Sequence, residues 1–204
     1  MILFHDVPLA DQEILASGEL INYVWVGAKH MLTGYDHILF LVGVVFFLNH
    51  IKDIIRFVTA FTVGHSITLV LATYINLTVN EHIIDAVIGM SVFYKGFENL
   101  GGFEKVFKTR APLLIQMVFL FGLIHGLGLS ARLQSLSLEQ DRTLLQIVSF
   151  NFGVELGQIV ALAPILLLVN FIRTKTYFVP LFKAVNSYLL IAGVYLAITQ
   201  LLNL

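Results

Sequence analysis

Six apolar stretches, at about 34–48, 54–75, 82–100, 112–129, 143–172 and 179–201, take up most of this 204-residue chain. A hydrocarbon core of about 30 Å needs about 20 helical residues to cross it. In lipid every backbone N–H and C=O has to be satisfied internally, which makes the helix the natural spanning element. Composition agrees: 58% of the residues are hydrophobic and 12% charged, whereas soluble domains carry about 25% charged residues. The sequence therefore predicts an all-α, polytopic integral membrane protein of about six transmembrane helices, with an N-terminal interfacial or broken helix.

Residues 1–19 read as an acidic N-terminal lead with Asp6, Asp11, Glu13 and Glu19, short and exposed or interfacial. The lead has no basic region ahead of an apolar core, so it does not read as a cleavable signal peptide. Residues 20–204 read as a single transmembrane helical domain. Taken as one helix, residues 20–48 would be about 43 Å long. Either that helix tilts strongly or it breaks near Gly34, leaving Tyr23 and Trp25 at the interface.

Loop charges give an orientation. Lys52 and Arg56, then Lys105, Lys108 and Arg110, then Arg173 and Lys175 mark one side, and only Arg132 and Arg142 oppose the trend. Positive-inside counting places both termini outside. With a net charge of −1 and no basic tract, no nucleic-acid partner is expected. The lipid bilayer is an expected partner, with a homo-oligomer left open.

Ionisable and amide side chains interrupt the apolar runs. Asp36, His37, His65, Ser66, His125, Asn151, Glu155 and Gln158 all fall within spans. An ionisable group at mid-bilayer costs about 2.5–3.5 kcal/mol on insertion scales. Thr59, Thr62, Ser66 and Thr73 share one face of the second span, bordered by His65. Asn151, Glu155 and Gln158 form an i, i+4, i+7 stripe on the fifth. His125 lies inside Gly122-xxx-Gly126 and Glu155 inside Gly153-xxx-Gly157. Small-xxx-small spacing lets backbones approach, so these two side chains are expected on tightly packed neighbouring helices. With the N-terminus outside, all these groups lie in the outer half or near the midplane.

No Lys or Arg is expected deep in a span, with Lys29 and Lys95 near ends, so Asp36 and Glu155 have no obvious basic partner. Imidazoles with carboxylates form a ligand set for a divalent transition metal. Without cysteine, and with four Met, the set suits nickel, cobalt, zinc or manganese better than copper(I). Candidate metal residues are His30, Asp36, His37, His65, His125 and Glu155, with Asn151, Gln158 and Thr62 behind them. His30 and His37 would stand about 10.5 Å apart along a continuous helix, so they can share an ion only if the chain breaks at Gly34.

Structural readings compete with each of these. His65 or His125 taken singly reads as helix packing. Asp36 can cap the helix that follows it. Asn151 and Gln158 read as interhelical hydrogen-bonders. His5, His50 and His82, in or beside loops, read as solvated.

Four blocks carry a family resemblance: His30-x5-Asp36-His37, "TAFTVGHSITL" (59–69), "GLIHGLGLS" (122–130) and "FNFGVELGQ" (150–158). Together they resemble the HupE/UreJ family of hydrogenase- and urease-accessory membrane proteins. The resemblance implies a nickel or cobalt permease of the bacterial cytoplasmic (inner) membrane, with His30, Asp36, His37 and His125 handling the metal. The family's F-H-G-x-[A/V]-H-G-x-E signature is met only by Gly122, His125 and Gly126. Leu120, Phe121 and Gly128 replace its Phe, first His and Glu. The chain thus resembles a divergent branch, with His65 and Glu155 taking over as ligands.

Three functions fit these residues. The first is transport of a divalent transition-metal cation (nickel- or cobalt-like) through an intramembrane His/carboxylate site near the outer face. The second is a membrane-embedded zinc-like hydrolase or transferase acting on lipid-linked substrates. Glu155 or Asp36 would be its base, Ser66 would polarise the substrate, and the metal would activate water. The third is a structural or accessory subunit whose buried polar groups only fix packing.

Overall fold

The computed structural model describes residues 9–77, 79–134 and 143–204, without the side chains of residues 9, 131–134 and 143. His5, Arg132 and Arg142, read above as a solvated side chain and as loop charges, therefore lie outside the described side chains. The regular structure of the described residues is entirely helical. Its order is α1 (Leu9–Ala16), α2 (Leu20–Thr33), α3 (Tyr35–Val45), α4 (Ile51–Tyr74) and α5 (Glu81–Asn99). A π-helical turn (Phe103–Phe107) follows, then α6 (Leu114–Gln134), α7 (Thr143–Arg173) and α8 (Phe178–Leu201).

Three of these helices are long and apolar enough to cross a membrane: α4, α8 and the Leu144–Arg173 part of α7. Tyr35–Val45 and Leu114–Ser130 are apolar but shorter. The reason α3 is short is the break at Gly34: the 20–48 run is two helices, α2 and α3.

Glycines set how the helices pair. A Cβ at Gly153 would strike the Val24 carbonyl, and one at Gly157 would meet the Ala28 carbonyl. The register 24/153 and 28/157 makes α2 and α7 parallel. Likewise Gly122 abuts the Phe61 carbonyl and Gly126 the His65 carbonyl, so α4 and α6 also run parallel. Thr68 Oγ1 donates across that crossing to the Leu123 carbonyl at 2.7 Å. On the third pair Gly89 faces Ala197 and Gly96 faces Asn186, which makes α5 and α8 antiparallel. Removing a side chain at each crossing brings the backbones into van der Waals contact, the main attraction between helices where no hydrophobic drive exists.

These pairs correct one expectation. The two small-xxx-small motifs do not pack on each other: that of α6 faces α4 and that of α7 faces α2.

At the other end of α7, Arg173 donates to the Phe46 carbonyl and to Asn49 Oδ1, each at 2.7 Å. Together α2 and α3 therefore follow α7 along its length, and α4 begins where α7 ends. A core of aromatic rings fills the centre, with Phe40 edge-on to Phe121 at 5.4 Å between centroids.

Two charged groups depart from the sequence reading. Lys95 is buried, 1% exposed, with Nζ 2.6 Å from Glu98 Oε2 and 4.1 Å from the Phe47 ring centroid. It is thus a buried base near the end of α5, and among the described contacts it pairs with Glu98. The described part of the lead, α1, docks on α2. Lys29 Nζ binds both oxygens of buried Asp11, at 2.7 and 3.0 Å, and Tyr23 donates to the Leu15 carbonyl at 3.2 Å.

Candidate metal centre

Gly34 makes the centre possible. Its backbone is extended (φ −68°, ψ 112°) between α2 and α3. Its N–H still donates to the His30 carbonyl, and its own carbonyl accepts from Ile38, each at 3.0 Å. A Cβ here would lie 2.6 Å from His37 Nδ1 and 3.1 Å from the His30 carbonyl oxygen. The missing side chain is what lets the two imidazoles close up. Their ring centroids stand 5.0 Å apart, nearly edge to face.

The row continues onto α6. The His37 and His125 centroids are also 5.0 Å apart, with His37 Nε2 3.4 Å from His125 Nδ1. Behind His37, its Nδ1 lies 3.1 Å from Asp36 Oδ1. Asp36, His37 and His125 are buried, whereas His30 is half-buried, so the row leads from the protein's edge inwards. Phe61 and Phe150 pack against its rings, at 5.1 Å from His125 and 5.9 Å from His30. Gly34, and not Asp36, is the N-cap residue of α3.

Asp36 and His37 form a carboxylate–imidazole pair. A carboxylate that accepts the Nδ1 proton fixes the tautomer, leaving Nε2 as a lone-pair donor of raised basicity. Two nitrogens bound tetrahedrally at about 2.0–2.1 Å sit roughly 3.3 Å apart, close to the His37–His125 separation of 3.4 Å. In this conformation no group of three or more His, Asp or Glu among the described residues closes into a coordination sphere. His37 and His125 stand at hydrogen-bonding distance, and His30 is the third imidazole beside them.

The remaining sequence candidates sit on α4 and α7. His65 is buried on the α4–α6 crossing, its carbonyl against Gly126. Phe61 touches its ring at 5.9 Å as well as that of His125. Glu155 accepts a hydrogen bond from Thr59 Oγ1 at 3.3 Å, on the α4–α7 side. Ser66 is half-buried on α4. Thr62 and Asn151 are buried, and neither Thr62 Oγ1 nor either side-chain atom of Asn151 meets a hydrogen-bond partner among the described residues. Gln158 Oε1 is in the same position. The interhelical bonds expected of Asn151 are thus not made, although an unmet buried polar group costs about 1–3 kcal/mol.

Sequence reasoning missed the Lys95–Glu98 pair and the amides beside it. Asn99 Nδ2 donates to the Gly43 carbonyl at 2.8 Å and also to Asn186 Oδ1. The i, i+3 spacing of Lys95 and Glu98 was the available signal. His82, read as solvated, bonds Gln200 Oε1 through Nδ1 at 2.9 Å.

The family model described as HupE / UreJ protein matches residues 9–202. The chain belongs to the HupE/UreJ family. The match covers nearly the whole chain, beyond the four blocks that carried the resemblance. No curated protein and no solved structure matches it. As an integral membrane HupE/UreJ protein, the chain has reason to display Phe152, Leu167, Tyr188 and Ile191 outwards, because lipid rather than water receives them.

Proposed function

We propose that this protein carries a divalent transition-metal cation, nickel- or cobalt-like, across the bacterial inner membrane. The observation that supports it best is the row of three imidazoles from α2, α3 and α6, with Asp36 behind the central one. Neutral imidazoles suit such ions, and a doubly charged cargo offsets the burial of a carboxylate.

In this reading His30, at the protein's edge, takes the cation from water. His37 Nε2 and His125 Nδ1 then hold it between them, while Asp36 orients His37 without itself being the first ligand. His65 lines the α4–α6 crossing, where Phe61 touches both its ring and that of His125. The helix directions fit six alternating crossings: α2 with α3, then α4, α5, α6, α7 and α8, with both termini outside. The hydrolase reading has less support: of its two candidate bases, Glu155 bonds Thr59 Oγ1 and Asp36 is engaged with His37.

The test is uptake of Ni2+ and Co2+ into vesicles containing the purified protein. His37→Ala and His125→Ala should each lower uptake at least tenfold, and His65→Ala should lower it less. Uptake that is indifferent to both His37→Ala and His125→Ala would rule out this site.

A further inference from the structure

Resting on the transport reading, we propose that a hydrated, cation-conducting seam between α4 and α7 leads away from the imidazole row. In this seam Glu155 is a second cation station, separate from the metal centre.

Register supports the seam. Asn49 meets Arg173 and Thr59 meets Glu155, so α4 and α7 run antiparallel. One turn from Thr59 towards the outer end is Thr62. One turn from Glu155 in the same direction is Asn151, and one turn the other way is Gln158. The polar stripes of the two helices are thereby set face to face.

Their state of satisfaction says what fills the gap. Asn151 and Gln158 are 4% and 1% exposed, yet Asn151 Nδ2 and Oδ1, Gln158 Oε1 and Thr62 Oγ1 find no hydrogen-bond partner among the described residues. Buried amides and hydroxyls in that condition are ordinarily met by water or an ion. Depth points the same way. Glu155 lies near the middle of the 31-residue α7 and is partly open, beside an exposed Thr59. A carboxylate at that level is expected to face a bundle interior or a water-filled cavity rather than lipid. Between Arg56 and Tyr74, and between Thr143 and Ile172, neither helix carries a Lys or Arg. The seam's walls therefore hold one negative charge and no positive one, which attracts cations and repels none.

The chain contains no cysteine, so single cysteines can report on the seam without further engineering. Thr62→Cys, Asn151→Cys and Val154→Cys, the last at a fully buried apolar position, are treated in vesicles with cationic methanethiosulfonate ethylammonium and with neutral methyl methanethiosulfonate. Thr62→Cys and Asn151→Cys should react with the cationic reagent at least about tenfold faster than Val154→Cys. Adding Glu155→Gln should slow the cationic reagent by about tenfold, the scale on which one sign of charge concentrates ions in a cleft, and leave the neutral reagent unchanged. Rates equal to those of Val154→Cys overturn the hydrated seam, and equal slowing of both reagents overturns Glu155 as a cation station. These rates do not depend on metal uptake, so failure of the seam and failure of the transport reading are separable.

Discussion

His30 and His37 stand seven residues apart in the chain, yet their rings lie edge to face at 5.0 Å. A continuous helix would separate them by about 10.5 Å along its axis. The extended residue Gly34 removes that distance by ending α2 and starting α3 afresh.

Gly34→Ala is expected to push the His37 imidazole off its line, because the new Cβ would sit 2.6 Å from Nδ1. Metal binding should weaken about 10–100-fold, as when a ligand's orientation is lost, with the thermal midpoint nearly unchanged. Equilibrium dialysis with Ni2+ beside a melting curve in detergent checks both halves. Unchanged affinity would mean that the approach of the rings has no part in holding the ion.

Gly126→Leu and Gly153→Leu should destabilise the fold itself. Each inserts a side chain against a carbonyl oxygen of the partner helix, that of His65 or of Val24. Overpacking of this kind costs about 1–3 kcal/mol or more. Gly101→Ala is the comparison: Gly101 has a positive φ but open surroundings, so its loss should be smaller. Detergent melting curves that rank Gly101→Ala as the worst of the three would contradict the close crossings.

Lys95→Met leaves the Glu98 carboxylate in place with its cation gone. Breaking a buried pair from one side costs about 3–5 kcal/mol, whereas replacing both partners is often near neutral. Lys95→Met/Glu98→Gln should therefore be clearly more stable than Lys95→Met alone. A double variant no better than the single one would show that the pair is not coupled.

Lys29→Met should free the N-terminal helix. The Lys29–Asp11 contact is partly exposed, so the effect on global stability is about 1 kcal/mol or less, but α1 loses its main polar tie. Limited proteolysis should cut between residues 9 and 19 several-fold faster than in the parent chain. An unaltered cleavage rate would place the hold on α1 in Leu15 and Tyr23 instead.

The centre was legible in part, and the reasons differ by residue. His30, Asp36 and His37 stand close in sequence, and Gly34 between them is a visible breaker, so the condition for their meeting could be stated in advance. His125 came from another helix, and its glycine flanks disclosed that a helix packs there but not which one. Periodicity placed Asn151, Glu155 and Gln158 on one face, and the structure keeps them there. Periodicity says nothing of which helix that face meets, and so the hydrogen bond of Glu155 with Thr59 on α4 could not be foreseen. Lys95 escaped notice because nearness to a helix end suggests exposure, and only the packing of α3 and α8 over it decides otherwise.

The partnership of α2 with α7 has a bearing on biogenesis. The surface that α2 offers to Gly153 and Gly157 stays uncovered until the ribosome has passed residue 157, so insertion into lipid has to precede much of the docking. A nascent chain that stops short of α7 already owns all three imidazoles, but not the Phe150 ring that packs against His30.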